Sequence, residues 1–158
     1  MDDQLGSGRP HYRDLTMADV RRLLTELERV SAQVATAVDL RLRREAGLPL
    51  ALFETMSVIA GRDVCRVYEL AADLGISSGG ASKLVDRLEA GGHCRRFPNP
   101  RDRRSSLLEL TPSGAALLTT AQHIVDAELD DILGSRLSRT DIARLAAMLH
   151  DLRATLLR

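Results

Sequence analysis

The strongest constraint on the fold is an apolar stripe at helical spacing in the first third of the chain. Apolar residues recur every three or four positions from Val20 to Leu42, which is about seven turns at 3.6 residues per turn. Thr16 and Asp19 have the spacing of a capping box, and Gly47 supplies a stop. We predict one long helix whose narrow apolar face packs against another long helix, which can belong to a second chain.

A similar pattern occupies the other end of the chain. Thr111 and Pro112 predict a helix start, because threonine is a good N-cap and proline fits the first helical position. This helix is predicted to run to Gly134, and Ser138 with Asp141 to open a last helix. With two Phe, two Tyr and no Trp, the core has to be aliphatic. Two long amphipathic helices cannot both be buried by the small centre between them, so we predict a homo-oligomer.

Short elements fill the centre of the chain. Glycines punctuate this region, and each apolar run between them is only long enough for a short helix or strand. The predicted elements in chain order are a helix over 50–61, a strand at 64–67, a helix over 68–75, a helix from 78 to 90, and two strands at 93–98 and 105–111.

The middle of this region, YELAADLGISSGGASKLVDRLE at 68–89, has the pattern of a helix–turn–helix. Ala71 is small where two helices would cross, Gly75 can adopt the positive φ that ends the first helix, and Ile76 is predicted to plug the space between them. Small residues at the start of the second helix let it enter the major groove of DNA, where its N–H groups meet phosphate. The residues predicted on its exposed face are Ser77, Ser78, Gly79, Ser82, Lys83, Asp86 and Arg87.

The hairpin that follows concentrates positive charge at its tip. The whole chain has 22 basic and 22 acidic residues, yet 81–104 contains seven Lys or Arg against three Asp or Glu. A hairpin beside a helix–turn–helix is a wing, and its arginines can enter the minor groove or hold a phosphate. Alternation along the strand puts Arg95 and Arg96 on opposite faces, so at most one is expected to face DNA. The predicted tip residues are Arg101, Asp102, Arg103 and Arg104, with Asp102 bracing one guanidinium.

These motifs, in this order and between long terminal helices, resemble the MarR family of winged helix–turn–helix transcriptional regulators. The matching pieces are ELAADLGIS, KLVDRLEAGG, Arg95-Arg96 and PRDRRSSLLELTPSG. The resemblance implies a homodimer on a pseudo-palindromic operator in double-stranded DNA, released by a small aromatic or phenolic effector, and a repressor role. It makes Asp102 and Arg104 the wing pair, with Arg104 the minor-groove probe, and implies an effector seam whose lining draws on Phe53 and Met56.

The expected fold class is mainly α (α+β): a winged helix–turn–helix with long N- and C-terminal dimerisation helices. We predict a flexible tail at 1–12, a helical dimerisation region at 13–47 and 112–158, and a DNA-binding domain at 48–111. The alternative is a ligand- or partner-binding winged-helix module that does not bind DNA.

Other functions have little support in the sequence. There is no phosphate-binding glycine loop, no nucleophile elbow and no metal-ligand spacing among the four scattered histidines, so we expect no enzyme activity, no cofactor and no metal. Cys65 and Cys94 do not make a disulfide framework, and we expect structural, unreactive thiols. The chain has no apolar run of membrane-spanning length and no signal-peptide pattern, so we expect no membrane association and a cytoplasmic protein.

Overall fold

The computed structural model describes residues 16–100 and 105–156, and it is mostly helical with one small sheet. Every element predicted from the sequence is present, which confirms the mainly α fold class. The elements are α1 (Met17–Ala46), α2 (Leu50–Ala60), β1 (Cys65–Arg66), α3 (Val67–Leu74), α4 (Ser78–Ala90), β2 (Cys94–Pro98), β3 (Ser106–Leu110), α5 (Pro112–Leu129), a π-helical segment (Asp130–Gly134) and α6 (Arg139–Leu156).

The helices begin where the capping residues predict. The Asp19 N–H donates to the Thr16 hydroxyl at 3.2 Å, and the Thr16 N–H donates back to the Asp19 carboxylate at 2.9 Å. Ser138 and Asp141 repeat this exchange before α6, at 3.1 and 3.2 Å. The hydrogen bonds from the serine hydroxyl and N–H lower the pKa of Asp141, because they stabilise its charged form. These contacts satisfy N–H groups that a helix start leaves without a partner.

The described chain divides into two compact units, one up to Gln33 and one from Val34 onward. The first unit is the start of α1, which exposes most of its apolar stripe: Leu23 is 59% and Leu24 is 58% exposed. In a single chain this apolar stripe is exposed to water, which costs free energy. Packing it against another protein surface would remove that cost.

The second unit contains the hydrophobic core. The side chains of Leu42, Met56, Leu70, Val85 and Leu88 are all fully buried there, so the end of α1 packs with α2, α3 and α4. The core is aliphatic, as the composition predicts. In the same unit α6 exposes four large apolar side chains: Leu145, Met148, Leu149 and Leu152.

The three strands form an antiparallel sheet in the order β1-β3-β2. Cys65 pairs with Leu108, and Cys94 pairs with Leu110, so the central strand lies between the two cysteines. The long β2–β3 pairing extends from Cys94–Leu110 to Pro98–Ser106 and forms the predicted hairpin.

The start of α5 packs directly on the turn that follows α4. Thr111 and Ser113 both donate hydroxyl hydrogen bonds to the carbonyl of Gly92, at 2.7 and 3.0 Å. A Cβ at Gly114 would lie 2.0 Å from the carbonyl oxygen of His93, so only glycine fits there. Close backbone contact therefore joins α5 to the end of the helix–turn–helix.

One predicted helix differs in detail. The helix expected to run from Pro112 to Gly134 changes to π-helical geometry over its last five residues. At this change Arg41 of α1 donates to Glu128 and to Asp131, both at 2.9 Å. The Arg41 pairs join residues about 90 positions apart, which no local pattern in the sequence encodes.

Candidate nucleic-acid interface

Helices α3 and α4 form a tight helix–turn–helix. Ala71 is 4% exposed between the helices, and Gly75 has φ +65°, a left-handed conformation that ends α3. The Ile76 N–H donates to the Ala71 carbonyl at 3.0 Å and closes the turn. Ile76 plugs the space between the helices less fully than predicted: the residue is 41% exposed, although its side chain lies against the start of α4 beside Gly80.

Helix α4 offers a smooth, small-residue surface at its start. The Ser77 hydroxyl accepts from the Gly80 N–H at 3.1 Å, which confirms Ser77 as the N-cap. A Cβ added at Gly79 would have no atom within 4 Å, so nothing in the described structure requires glycine there. The predicted face residues Ser77, Ser78, Gly79, Lys83, Asp86 and Arg87 are all exposed, and Ser82 is half-buried.

The hairpin that carries the predicted wing is closed at its neck. The Asn99 N–H donates to the Ser105 carbonyl at 3.2 Å, and the Asn99 side-chain amide donates to the Ser105 hydroxyl at 2.8 Å. The described part of the hairpin therefore reaches Pro100 on one side and resumes at Ser105 on the other. The four predicted tip residues, Arg101, Asp102, Arg103 and Arg104, lie outside the described residues, and their roles remain predictions.

The two consecutive arginines of β2 have different environments. Arg95 is exposed, donates to its cross-strand neighbour Glu109 at 3.0 Å and lies 4.5 Å from the ring centroid of Phe97. Arg96 is on the other face of the strand, where it reaches Asp86 on α4 at 2.7 Å. The predicted alternation is confirmed, and carboxylates partner both guanidinium groups.

The two cations of α4, unlike the arginines of β2, have no carboxylate partner among the described residues. Lys83 and Arg87 are exposed, and within residues 16–100 and 105–156 no ion pair involves either of them. Cations without carboxylate partners are the ones that can neutralise phosphate at low cost, because no existing pair has to be broken.

Sequence reasoning missed an open cavity of about 350 Å³ between α3, α4 and the base of the hairpin, which is lined mostly by serine, arginine and tyrosine side chains. Arg66 donates to the Tyr68 hydroxyl at 2.6 Å at its edge. Arg66 precedes α3 in place of a serine or threonine cap, and Glu69 takes over the capping by accepting from the Arg66 N–H at 2.9 Å. The cavity is lined by Arg66, Val67, Tyr68, Ser78, Ser82, Arg96, Ser105 and Ser106.

The two residues predicted to line an effector seam belong to α2. Met56 is fully buried in the core, whereas Phe53 is half-buried at its edge. A ligand can reach Phe53 from the surface, but it reaches Met56 only if the core opens. The effector assignment for both residues stays a prediction.

The two cysteines are free thiols in the core, 1% and 3% exposed. Burial raises the pKa of Cys65 to about 11, and burial also raises the pKa of Cys94, because a thiolate is poorly solvated in the core. Both thiols are therefore protonated at neutral pH, which agrees with a structural role for Cys65 and Cys94.

Residues 16–100 and 105–156 contain neither a metal-binding cluster nor a membrane-spanning helix. No group of three or more His, Cys, Asp or Glu side chains among them is arranged to hold a metal ion. None of the helices they form is long and apolar enough to cross a bilayer.

The arrangement of α2, α3 and α4 with a three-stranded sheet and a hairpin directly after α4 is a winged helix–turn–helix. Residues 48–106 match the model of the MarR family. Over 81 residues the chain is 33% identical to the multiple antibiotic resistance protein MarR of Escherichia coli, in an alignment covering 51% of this chain and 56% of that protein. The chain thus spans just over half the length of this curated relative.

Solved structures agree with this match over most of the chain. A MarR family transcriptional regulator from Streptomyces coelicolor, in complex with DNA, has a TM-score of 0.79 and 25% identity, covering 95% of this chain and 94% of that one. A cysteine-to-serine mutant of Escherichia coli MarR, complexed with operator DNA, has a TM-score of 0.75 and 25% identity, covering 85% and 95%. The chain is therefore similar to the MarR family in sequence over residues 48–106, and it shares the fold of MarR-family transcriptional regulators over most of its length.

Proposed function

We propose that this protein is a sequence-specific regulator of transcription that binds double-stranded DNA. The observation that carries the proposal is the exposed face of α4, where small residues at the helix start adjoin the cations Lys83 and Arg87. The similar proteins from Streptomyces coelicolor and Escherichia coli, whose structures contain DNA, support it. The function requires no catalytic group.

In the proposed complex each α4 lies in a major groove. Its N-terminal N–H groups and the hydroxyls of Ser77 and Ser78 face the DNA, and Lys83 and Arg87 hold phosphates. The proposal also assigns Arg101, Arg103 and Arg104 to the neighbouring minor groove, with Asp102 bracing Arg104.

The proposal includes a homodimer. The exposed apolar faces of α1 and α6 support it, because each presents several leucines to water in a single chain. A twofold dimer places two recognition helices about 34–36 Å apart, one turn of B-DNA, which matches a pseudo-palindromic operator.

The regulatory part of the proposal is repression that a small aromatic or phenolic effector relieves. An effector that binds one arrangement of the dimer more tightly than the DNA-bound arrangement lowers operator affinity by population shift. The alternative function, a ligand- or partner-binding winged-helix module that does not bind DNA, is not supported by the similar proteins reported above.

Selection of bound duplexes from fragmented genomic DNA tests the proposal. We expect enrichment of a pseudo-palindrome, and recovery without any preferred sequence would contradict sequence-specific binding. With the selected operator, Arg104→Ala is expected to weaken binding and to reduce the slope of log affinity against log salt by about one unit, since one phosphate or groove contact is lost.

Arg95→Ala is the matched control for this experiment. It removes the same charge from the same hairpin, but Arg95 is already paired with Glu109. We expect its salt slope to equal that of the unmodified protein. Equal slopes for Arg104→Ala and the unmodified protein would argue against the role of Arg104.

A further inference from the structure

Arg96 connects the wing to the recognition helix through a set of charged hydrogen bonds. Its guanidinium donates to the Asp86 carboxylate at 2.7 Å and lies 3.2 Å from the Glu89 carboxylate. The same nitrogen that reaches Asp86 lies 3.4 Å from the carbonyl and the hydroxyl of Ser82. Ser82, Asp86 and Glu89 are spaced at i, i+4 and i+7, so they form one row along the flank of α4.

Glu89 also makes a second contact with the strand itself. Within the described sheet, β2 is an edge strand, and an edge strand has N–H groups that no neighbouring strand can accept. The Arg96 N–H donates to Glu89 at 3.2 Å. The Glu89 carboxylate therefore binds both the backbone N–H and the guanidinium of Arg96. These two contacts together hold β2 in one position beside α4.

These contacts occupy Arg96 on the protein side. Its side chain is 28% exposed, against 55% for Arg95, and the two nearby carboxylates carry more negative charge than its single positive charge neutralises. A phosphate at this guanidinium would be repelled by Asp86 and Glu89 and would compete with them for its N–H groups. Arg96 is therefore poorly suited to neutralise DNA and well suited to hold the hairpin against α4.

We propose that Arg96 is a positioning residue for DNA recognition: through Asp86 and Glu89 it fixes the recognition helix α4 relative to the hairpin, so that helix and wing reach adjacent grooves in a defined register. The inference rests on the proposed function. Base contacts require register to within a fraction of an ångström, whereas non-specific phosphate contacts tolerate movement of either element. Loss of Arg96 should therefore weaken operator binding more than binding to unrelated DNA.

The test compares Arg96→Gln with the unmodified protein on two duplexes, the selected operator and a scrambled sequence of the same length, by fluorescence anisotropy over a range of KCl concentrations. We expect operator affinity to fall by up to about tenfold, the upper end of what two partly exposed ion pairs contribute if they act only through the register of α4 and the hairpin. Affinity for the scrambled duplex and the salt slope should not change. A lysine at position 96 can pair with one carboxylate but cannot bridge two as a guanidinium does. We therefore expect Arg96→Lys to recover part of the operator affinity that Arg96→Gln loses.

Other outcomes overturn the inference. An equal loss on both duplexes with a slope reduced by about one unit would make Arg96 a phosphate contact. An equal loss with an unchanged slope would indicate only a smaller folded fraction, and unchanged affinities would remove any role.

If Arg96→Gln does not fold, as judged by circular dichroism, Glu89→Gln applies the same test at a half-buried position outside the predicted DNA-facing side of α4, while leaving Arg96 paired with Asp86. If the unmodified protein prefers no sequence, the proposed function fails. If the unmodified protein prefers its operator and the variants keep the same preference, the positioning role alone fails.

Discussion

Gly79→Ala should raise the stability of the protein and lower its affinity for DNA. Because the two quantities are expected to change in opposite directions, the substitution tests how closely α4 approaches DNA. Gly79 is the second residue of α4, and a Cβ there has no atom within 4 Å. Alanine orders the helix start better than glycine, so we expect the free energy of unfolding to rise by about 0.5 kcal/mol. For a chain of this size that is a rise in Tm of about 1–2 °C.

The same methyl group should interfere with the complex. It would occupy space between the start of α4 and the groove, displacing a base or phosphate contact worth about 1–3 kcal/mol. Operator affinity should then fall by about 5- to 150-fold. The measurements are thermal unfolding of the free protein and anisotropy titration with the operator. Thr120→Ala, at an exposed position of α5, is the control for improved helix propensity and should leave affinity unchanged. Undiminished affinity of Gly79→Ala would refute close approach at this position.

Three other predictions concern assembly and stability. Leu149→Glu places a charge on the exposed apolar face of α6 and should yield a monomer by light scattering; a dimer would contradict an interface there. Cys65 and Cys94 should label slowly with a thiol reagent at pH 8 until denaturant is added, because burial raises the pKa of both; rapid labelling of native protein would be inconsistent with their burial. Gly114→Ala should lower the free energy of unfolding by more than about 3 kcal/mol in a urea titration, because its methyl group overlaps the His93 carbonyl; native-like stability would show that the junction can relax.

Local chemistry explains why the sequence predicts so much of this fold. Thr16, Ser77, Thr111 and Ser138 cap helices through residues three positions away, and such short-range contacts leave a readable spacing. Gly75 ends α3 because only glycine adopts its positive φ without strain. The strands of the hairpin follow the apolar alternation that the sequence contains.

The missed features depend on residues that meet only after folding. Arg96 reads as one of several cations in a basic stretch, and its partners on α4 become neighbours only when β2 packs beside the helix. Ile76 is apolar like a core residue, but the turn is closed by backbone hydrogen bonds and the residue stays 41% exposed. Composition also gives no sign of the π-helical geometry after α5.

The close backbone contact at Gly114 affects how α5 and α4 can move relative to each other. The main chain of α5 at Gly114 packs against the His93 carbonyl, and the hydroxyls of Thr111 and Ser113 donate to the neighbouring carbonyl of Gly92. No flexible linker or side chain lies at this contact that could adjust if α5 moved relative to the end of α4. A tilt of α5 is therefore expected to move the end of α4 with it.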